Sequence, residues 1–395
     1  MPVRRRGSTE ANLAAALAVA GPGREVVVSR TLHRSMLSGL VLSGARPVWV
    51  RPEVDPEVGL PGGVSPSAVA DALAAHPGAA AVLVGDPSYA GLVGDVAGLA
   101  EVAHAAGVPL VVDAAWAAHF GASSALPPHP LALGADVVVT SAHKALPAYS
   151  QGAVLLARTG LVDADRLARA VDAVHTTSPA GAILASVDAA RALLELDGEQ
   201  LGRRLAGSVA AARARLAAVP GVRVLEDAPG RVVDPAKLVV LLAGAGASGN
   251  VVEADLLERG HPLEMADRDL VVAMVTVADP PERVAAVAGA LADAIVRHSG
   301  PPRPVRVAAS WDVDPDVAMT PREAFFAPHE TVPASAAVGR VSAELIAPYP
   351  PGVPVLAPGE VITAGALHAL RETRTEGGRI AYAADPTLAT LQVVA

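Results

Sequence analysis

Short valine-rich segments alternate with alanine-rich segments through residue 157, and this alternation limits the folds open to the chain. The valine-rich segments are apolar almost throughout, as expected of strands buried on both faces of a sheet. They cover residues 25–29, 47–50, 81–85, 110–113, 137–140 and 153–157. The segments between them, such as 65–75 and 93–106, have helical character. We therefore predict an α/β fold with a mixed, mostly parallel sheet covered by helices.

The pattern changes after residue 160. Residues 161–216 are predicted to be mainly helical, with 188–196 and 202–216 as the clearest pieces. Three predicted strands follow, and a predicted helix comes after them. Together they indicate a smaller α/β unit. These elements cover residues 222–225, 238–242, 270–277 and 281–297.

A proline-rich stretch, Gly300-Pro-Pro-Arg-Pro304, provides the clearest domain boundary. Proline lacks the backbone N–H that a helix interior or a sheet ladder requires, so neither element can continue through this stretch. We predict a major domain over residues 1–300, with a core over 1–175 and a helical and small α/β part over 176–300. A small α/β C-terminal domain is predicted over 301–395.

The composition excludes several classes of function. A formal net charge of −9 argues against nucleic acid as the main partner, and the absence of cysteine excludes disulfides, thiolate catalysis and cysteine–metal sites. We predict no metal site. No apolar run approaches the ~18 residues that a membrane span needs. Arg4-Arg5-Arg6 precedes an apolar stretch like that of a signal peptide, but Glu10 and Asn12 interrupt the pattern. We predict a cytoplasmic protein without a membrane partner.

Only two of the 31 lysine and arginine residues are lysines. One of them, Lys144, follows a predicted strand in Ser141-Ala-His143-Lys144. Arginine stays protonated in proteins, whereas a buried lysine can lose its proton and attack a carbonyl. Lys144 is therefore either a surface lysine or a Schiff-base lysine, most often one that binds pyridoxal phosphate (PLP), with Ser141 and His143 placed to hold phosphate. The other lysine, Lys237, lies in what we interpret as an ordinary segment.

Three further groups fall at predicted strand ends or helix starts, where ligands of open α/β sheets collect. Ser8 and Thr9 open a predicted helix and would form either a phosphate site or a plain helix cap. Asp113 closes a buried strand and would pair with a protonated pyridine nitrogen, or else cap the next helix or meet an arginine. His33 would stack on a flat cofactor ring or serve a structural role.

Two blocks of motifs occur along the chain. The first block runs from residue 7 to residue 152: Gly7-Ser-Thr-Glu-Ala-Asn12, His33-Arg-Ser35, Gly59-Leu-Pro-Gly-Gly-Val-Ser-Pro66, Asp86-Pro-Ser-Tyr-Ala-Gly91 and the stretch 109–152. The second lies in the tail: Pro321-Arg-Glu-Ala-Phe-Phe326, Val338-Gly-Arg340, Tyr349-Pro-Pro-Gly-Val-Pro354 and Pro358-Gly-Glu360. With both blocks present, the chain resembles the Orn/Lys/Arg decarboxylase family of fold-type-I PLP enzymes from residue 7 to its end.

The resemblance implies a role for each matching residue. Lys144 would form the internal aldimine with PLP, Asp113 would bind the pyridine nitrogen, and His33 would stack on the ring. Four side chains would hold the phosphate: Ser8, Thr9, Ser141 and His143. The major domain would then have the PLP-dependent transferase-like (fold type I) architecture, with residues 1–175 as the cofactor-binding core.

Other positions receive weaker assignments from the resemblance. Trp116 would lie near the cofactor, and Thr177 and Ser178 match a loop near the active site. An acidic or carbonyl-rich pocket is needed for the distal cationic group of a basic substrate. Glu323 and Glu360 are our candidates for it.

The resemblance implies decarboxylation of a small-molecule basic amino acid, lysine, ornithine or arginine, to a diamine or agmatine. Fold-type-I enzymes place their active sites at a dimer interface, so a homodimer or a higher homo-oligomer is expected. Asp113 and Lys144 would serve transamination or aldol cleavage equally well, because a fold alone does not determine chemistry. A catalytically impaired paralogue that acts as a regulatory subunit is the remaining alternative.

The chain departs from the family pattern in three places. Members usually carry a segment with a Pro-Gly-His-Lys motif before Gly-Ser-Thr, and here only residues 1–6 precede it. We expect either a clipped reading frame or a short protein whose pocket is open to water, which would weaken electrostatic control of the reaction. Position 114 is alanine rather than an acidic residue or serine, and Ser178-Pro-Ala-Gly181 replaces Ser-Pro-Ser-Tyr.

Overall fold

The computed structural model describes residues 2–55, 57–305, 307–308, 313–349 and 352–395, with the side chains of residues 2–6 left out. Residues 350 and 351 of the predicted proline-rich motif therefore lie outside the described part. The strands are β1 (Pro2–Arg6), β2 (Glu25–Ser29), β3 (Arg46–Val50), β4 (Val54–Asp55), β5 (Leu60–Pro61), β6 (Val82–Gly85), β7 (Leu92–Val93), β8 (Leu110–Asp113), β9 (Val137–Thr140), β10 (Gly152–Ala157), β11 (Arg223–Val224), β12 (Val232–Val233), β13 (Lys237–Leu241), β14 (Met265–Ala266), β15 (Leu270–Met274), β16 (His329–Pro333), β17 (Ala347–Tyr349), β18 (Arg379–Ala381) and β19 (Thr390–Val394).

The helices follow the same chain order. They are α1 (Gly7–Val19), α2 (Arg34–Ser43), α3 (Pro66–Ala75), α4 (Val96–Ala105), α5 (Ala142–Ala145), α6 (Ala164–Val174), α7 (Gly181–Ala217), α8 (Gly249–Glu258), α9 (Pro281–Arg297), α10 (Pro321–Phe326), α11 (Ala334–Ala337) and α12 (Ala364–Thr375), with a short 3₁₀ turn at Ala243–Ala245. None of these helices, within the described ranges, is long and apolar enough to cross a membrane.

A mixed sheet forms the centre of the first part of the chain. Its strand order is β1-β10-β9-β8-β6-β2-β3. The five strands from β9 to β3 run parallel, and at one edge β10 pairs antiparallel with both β9 and β1. Strands β8 and β9 are buried along their whole length, as their continuous valine-rich sequences predict. The predicted α/β fold with a mixed, mostly parallel sheet is confirmed.

Helices cover both faces of this sheet. Helices α1, α2 and α6 pack on one face, and α3 and α4 pack on the other. Ser65 caps α3, since its hydroxyl accepts a hydrogen bond from the backbone N–H of Ala68. Helices α1 and α2 approach each other closely at Gly39, where an added Cβ would lie 2.6 Å from the Cβ of Ala16.

The region predicted to be mainly helical contains α6 and one continuous helix, α7, of 37 residues, which spans both of the pieces predicted most clearly. Gly198 lies between the two predicted pieces, where glycine normally weakens a helix. Its role here is packing, because an added Cβ would lie 2.8 Å from the carbonyl oxygen of Ala122. Helices α7 and α9 cover a second sheet, with the order β11-β13-β15-β14 and all of its pairs antiparallel.

The last part of the chain forms a small unit of β-ribbons and helix α12. Strand β16 pairs with β19, and β17 pairs with β18. Its core includes Ile346, Leu356 and Leu370, all fully buried. A buried ion pair between Arg30, at the end of β2, and Glu360 joins this unit to the central sheet.

Candidate active site

A cavity of about 430 Å³ opens at the carboxyl ends of the parallel strands. Residues that follow β2, β6, β8 and β9 line it, because the carboxyl ends of parallel strands meet at one edge of a sheet. The second sheet contributes Glu264 and Asp267, and the C-terminal unit contributes Tyr349 and Tyr382. Three predicted site residues, Asp113, His33 and Lys144, are brought together here although they lie far apart in the sequence.

Lys144 lies in the short helix α5, directly after β9, and its side chain lines the cavity. Its Nζ is 3.8 Å from the centre of the Trp116 ring. Burial lowers the pKa of the Lys144 amine, while the nearby carboxylates of Asp113 and Glu264 oppose that shift. A lowered pKa increases the fraction of neutral amine, which is the form that attacks a carbonyl.

Asp113 is the last residue of β8 and is buried. Its Oδ2 accepts a hydrogen bond from Nδ2 of Asn12 at 2.7 Å, and its Oδ1 accepts one from the backbone N–H of Ala115 at 3.3 Å. Burial raises the pKa of Asp113, while His33, Lys144 and the hydrogen bond from Asn12 lower it. The carboxylate is thus placed to stabilise a cationic group in the cavity.

His33 is the N-cap of α2 and lines the cavity next to Asp113. Its Nδ1 accepts a hydrogen bond from the backbone N–H of Ser35 at 3.2 Å and lies 2.8 Å from the Ser35 hydroxyl. Burial lowers the pKa of His33, and the Asp113 carboxylate opposes that shift. These contacts fix the imidazole ring and favour its neutral form, which suits a flat surface for stacking.

The four residues predicted to hold a phosphate divide into two pairs. The Ser141 hydroxyl donates a hydrogen bond to the Ser8 hydroxyl at 2.8 Å, and Ser8 lines the cavity in the first turn of α1. Thr9 is exposed, and His143 directs its Nδ1 to the carbonyl oxygen of Gly152 at 2.8 Å. Ser8 and Ser141 therefore lie together at a helix N-terminus, which favours an anion, and the phosphate-binding roles of all four residues stay predictions.

Lys237, interpreted from the sequence as part of an ordinary segment, is next to the site. Its side chain is fully buried, and its Nζ lies 3.6 Å from the centre of the Trp116 ring. Tyr89 packs edge-on against the same ring, and its hydroxyl donates a hydrogen bond to Oε1 of Glu264 at 2.8 Å. The rarity of lysine, which pointed to Lys144, applied equally to Lys237.

The two acidic residues suggested for substrate selectivity do not line this cavity. The carboxylate of Glu360 is buried against the Arg30 guanidinium, and Glu323 completes a capping box at the start of α10 with Thr320. Both side chains serve the packing of the C-terminal unit. Glu264, Asp267 and Asp269, which lie beside β14 and β15, are acidic side chains that line the cavity instead.

Two family models match the chain. The model described as Orn/Lys/Arg decarboxylase, major domain, matches residues 3–246, and the model of the C-terminal domain matches residues 306–374. An arginine decarboxylase of Halalkalibacterium halodurans is 34% identical over 396 residues, which cover 98% of this chain and 81% of that protein. An arginine decarboxylase of Bacillus subtilis is 31% identical over 402 residues with the same coverage.

Solved structures show the same fold. The lysine decarboxylase of Francisella novicida superposes with a TM-score of 0.81 at 18% identity, and the constitutive lysine decarboxylase of Escherichia coli with 0.80 at 20%. Each comparison covers all of this chain and 70% of the other. Because one family model spans more than half of the chain and relatives above 30% identity cover nearly all of it, the protein belongs to the Orn/Lys/Arg decarboxylase family and is an amino-acid decarboxylase by class.

Proposed function

We propose that this protein decarboxylates a basic amino acid, with arginine as the first candidate, and uses PLP as its cofactor. One observation carries the proposal. The same cavity holds a half-buried lysine, Lys144, and a buried carboxylate, Asp113, together with an acidic side chain, Glu264, at a wall that also contains aromatic rings. The first pair suits the cofactor, and the acidic wall suits the distal cation of the substrate.

The side chains at the sheet edge fit the chemical groups of PLP. Lys144 would supply the amine for its carbonyl carbon, the Asp113 carboxylate would pair with its pyridine nitrogen, and His33 would stack on its ring. Ser8 and Ser141 would bind its phosphate with the backbone N–H groups at the start of α1. When bound, PLP supplies an electron sink for the electron pair that remains on Cα after CO2 departs.

Aromatic and acidic side chains support recognition of a planar cation. The chain has four tyrosines, and Tyr89, Tyr349 and Tyr382 line the cavity with Trp116. A guanidinium group stacks on aromatic faces and forms paired hydrogen bonds with a carboxylate, here that of Glu264. Relatives named arginine decarboxylase support the same choice.

The buried charges also set the proton chemistry of the site. The Lys144 amine, with its pKa lowered by burial, can release a proton more readily than a surface lysine and take it up again. The hydrogen bond from Asn12 lowers the pKa of Asp113 and opposes the rise that burial causes. Burial therefore shifts both groups toward their neutral forms, and the charge of each group opposes that shift in the other.

A homodimer or a larger homo-oligomer in the cytoplasm belongs to the same proposal. The support is the resemblance to fold-type-I enzymes, whose active sites lie at dimer interfaces. Sedimentation of the purified chain tests this part separately, and a monomer at micromolar concentration would contradict it.

The proposed function is tested with the purified protein, added PLP and each of arginine, lysine and ornithine. We expect the visible absorption of protein-bound PLP, release of CO2, and agmatine as the main product. Lys144→Ala removes the amine, and Lys144→Arg serves as the matched control because it keeps the charge without a reactive amine. Both variants should lose the absorption band and the activity.

Two results would contradict the proposal. Absence of the absorption band in the wild-type protein would exclude PLP chemistry of any kind. Binding of PLP with transfer of the amino group, and with no CO2 released from any of the three substrates, would instead favour a transaminase reaction.

A further inference from the structure

The second lysine of the chain occupies an unusual position. Lys237 is the first residue of β13, and its side chain has no exposed surface. Within the described part of the chain, its Nζ has no hydrogen-bond partner. A buried amine without such a partner lowers the stability of the folded state, because its hydration is lost without replacement.

The Lys237 ammonium group lies against two aromatic rings, and charged groups farther away also act on it. Its Nζ lies 3.6 Å from the centre of the Trp116 ring and 5.3 Å from that of Tyr89. The carboxylates of Asp234 and Glu264 attract it, and the Lys144 amine repels it. Cation–π attraction therefore connects Lys237 to the two rings that form one wall of the cavity.

The backbone around Lys237 fixes its position. Its N–H donates a hydrogen bond to the carbonyl oxygen of Asp234 at 3.0 Å, and its own carbonyl oxygen accepts one from Arg213 at 2.8 Å. Gly91, in the loop that carries Tyr89, leaves room for the side chain, since an added Cβ there would lie 2.6 Å from Cγ of Lys237. The fully buried Asp234 carboxylate accepts a hydrogen bond from His119 at 2.9 Å and is held in place.

Both lysines of the chain thus meet at one indole ring. The Nζ of Lys144 lies 3.8 Å from the centre of Trp116, close to the 3.6 Å of Lys237. Burial lowers the pKa of Lys237 to about 8, so its amine is still mostly protonated at neutral pH. Since the interaction of two charges is mutual, the Lys237 charge disfavours a proton on Lys144.

We propose that Lys237 is a positioning residue, which holds the Trp116–Tyr89 wall beside Lys144 and acts on the Lys144 amine through its charge. This inference rests on the proposed function, in which Lys144 is the reactive amine. A replacement such as methionine would fill the same volume without the cost of burying a charge. A role in the site, and not a gain in folding stability, therefore explains why position 237 is a lysine.

The test measures the reactivity of Lys144 in the full-length protein without PLP. Reductive methylation with formaldehyde and a borohydride, at pH values from about 6 to about 10, labels neutral amines. Because the chain has only two lysines, mass spectrometry of digested peptides reports each one separately. The variants are Lys237→Met and Lys237→Arg, with Leu238→Ala as the control. Leu238 is the next residue of β13 and is buried in the core on the other side of the strand.

We expect Lys237→Met to slow Lys144 labelling about threefold at pH about 7, where Lys237 is still mostly protonated; this is the loss of neutral amine that half a unit of pKa produces. The difference should shrink above pH about 8, where Lys237 itself loses its proton. Lys237→Arg keeps the charge and should keep the wild-type labelling rate at neutral pH. Leu238→Ala should lower the unfolding stability without changing that rate. Lys237→Gln, also neutral, replaces Lys237→Met if that variant does not fold.

The proposal is overturned if the neutral variants keep the wild-type Lys144 labelling rate at neutral pH, or if Leu238→Ala lowers it equally. A purely structural Lys237 would show loss of stability without any change in the Lys144 profile. Failure of the wild-type protein to bind PLP would contradict the proposed function, but it would leave this measurement intact because no cofactor is present.

Discussion

The charge on Asp113 depends on a buried amide. Asn12 donates hydrogen bonds from Nδ2 to Oδ2 of Asp113 at 2.7 Å and to the Ser35 hydroxyl at 2.9 Å. We expect Asn12→Ala to raise the pKa of Asp113 further and to weaken PLP binding by about tenfold, the effect of one lost charge-assisted hydrogen bond. Absorbance titration with PLP measures the affinity.

The chain offers a matched control for that change. Asn250, the other asparagine, begins α8 away from the cavity, and Asn250→Ala should leave the PLP affinity unchanged. Equal affinities for wild type and Asn12→Ala would show that Asp113 does not need the amide.

A second buried carboxylate, Asp86, predicts a pH dependence of stability. Burial raises its pKa to about 7, the hydrogen bond from the Gly94 N–H lowers it, and Asp234 raises it again. The folded state therefore binds more protons than the unfolded state between the unfolded pKa, near 4, and pH ~7. Asp86 therefore lowers the free energy of unfolding progressively as the pH rises through that window, and has no such effect at low pH.

Asp86→Asn keeps an oxygen for the Gly94 N–H and removes the titration. Relative to wild type, the variant should gain stability as pH rises from about 5 to about 8, by about 4 kcal/mol at most for a three-unit difference in pKa. Urea unfolding at several pH values measures the difference. Parallel stability curves for the two proteins would contradict this account.

At the scale of elements, two helical glycines predict opposite effects of the same substitution. An alanine at Gly39 in α2 would bring its Cβ to 2.6 Å from Ala16 in α1, whereas Gly207 in α7 has open space around it. Gly39→Ala should destabilise the protein by about 1–3 kcal/mol and displace α1, which carries Ser8 and Asn12. Gly207→Ala should stabilise it by about 0.5–1 kcal/mol.

Urea unfolding compares both variants with wild type, and a PLP titration reports whether α1 has moved. Weaker PLP binding is expected for Gly39→Ala alone. Equal effects at the two glycines would mean that helix propensity, and not the contact between α1 and α2, determines the result.

Local sequence patterns predicted most element positions, but not how far one helix extends. The strands that end at Ser29, Asp113 and Thr140 have their predicted bounds, because continuous valine runs favour buried strands wherever they pack. Helix α7 joins the two pieces that were predicted most clearly into one helix that continues through Gly198. The sequence pattern did not predict the close packing of Gly198 against Ala122, a residue distant in sequence.

At the scale of the whole molecule, one buried ion pair joins the C-terminal unit to the active site. Arg30 precedes the cavity residues Thr31 to His33, and its guanidinium bonds Glu360 and the carbonyl oxygens of Pro354 and Val355. Glu360→Gln would leave the buried Arg30 charge unpaired. We expect a loss of about 3–5 kcal/mol in unfolding free energy and a higher KM, because Tyr349 and Tyr382 line the cavity from this unit.

An exposed pair in the same unit provides the comparison. Arg340 and Glu330 lie 2.8 Å apart at the surface, so Glu330→Gln should cost less than about 1 kcal/mol and leave KM unchanged. Denaturant unfolding and steady-state kinetics measure both variants. A Glu360 variant that behaves like the Glu330 variant would show that the ion pair does not hold the unit in place.

The sequence by itself determined the α/β class, the strand ends that carry Asp113 and Lys144, and the family resemblance, because these follow from local patterns and short motifs. Only the tertiary structure decided which distant side chains meet. Asn12 reaches Asp113 across 101 residues, Arg30 reaches Glu360 across 330, and Lys237 lies against Trp116. Such contacts depend on how helices and sheets pack against each other, and no local pattern along the chain records that packing.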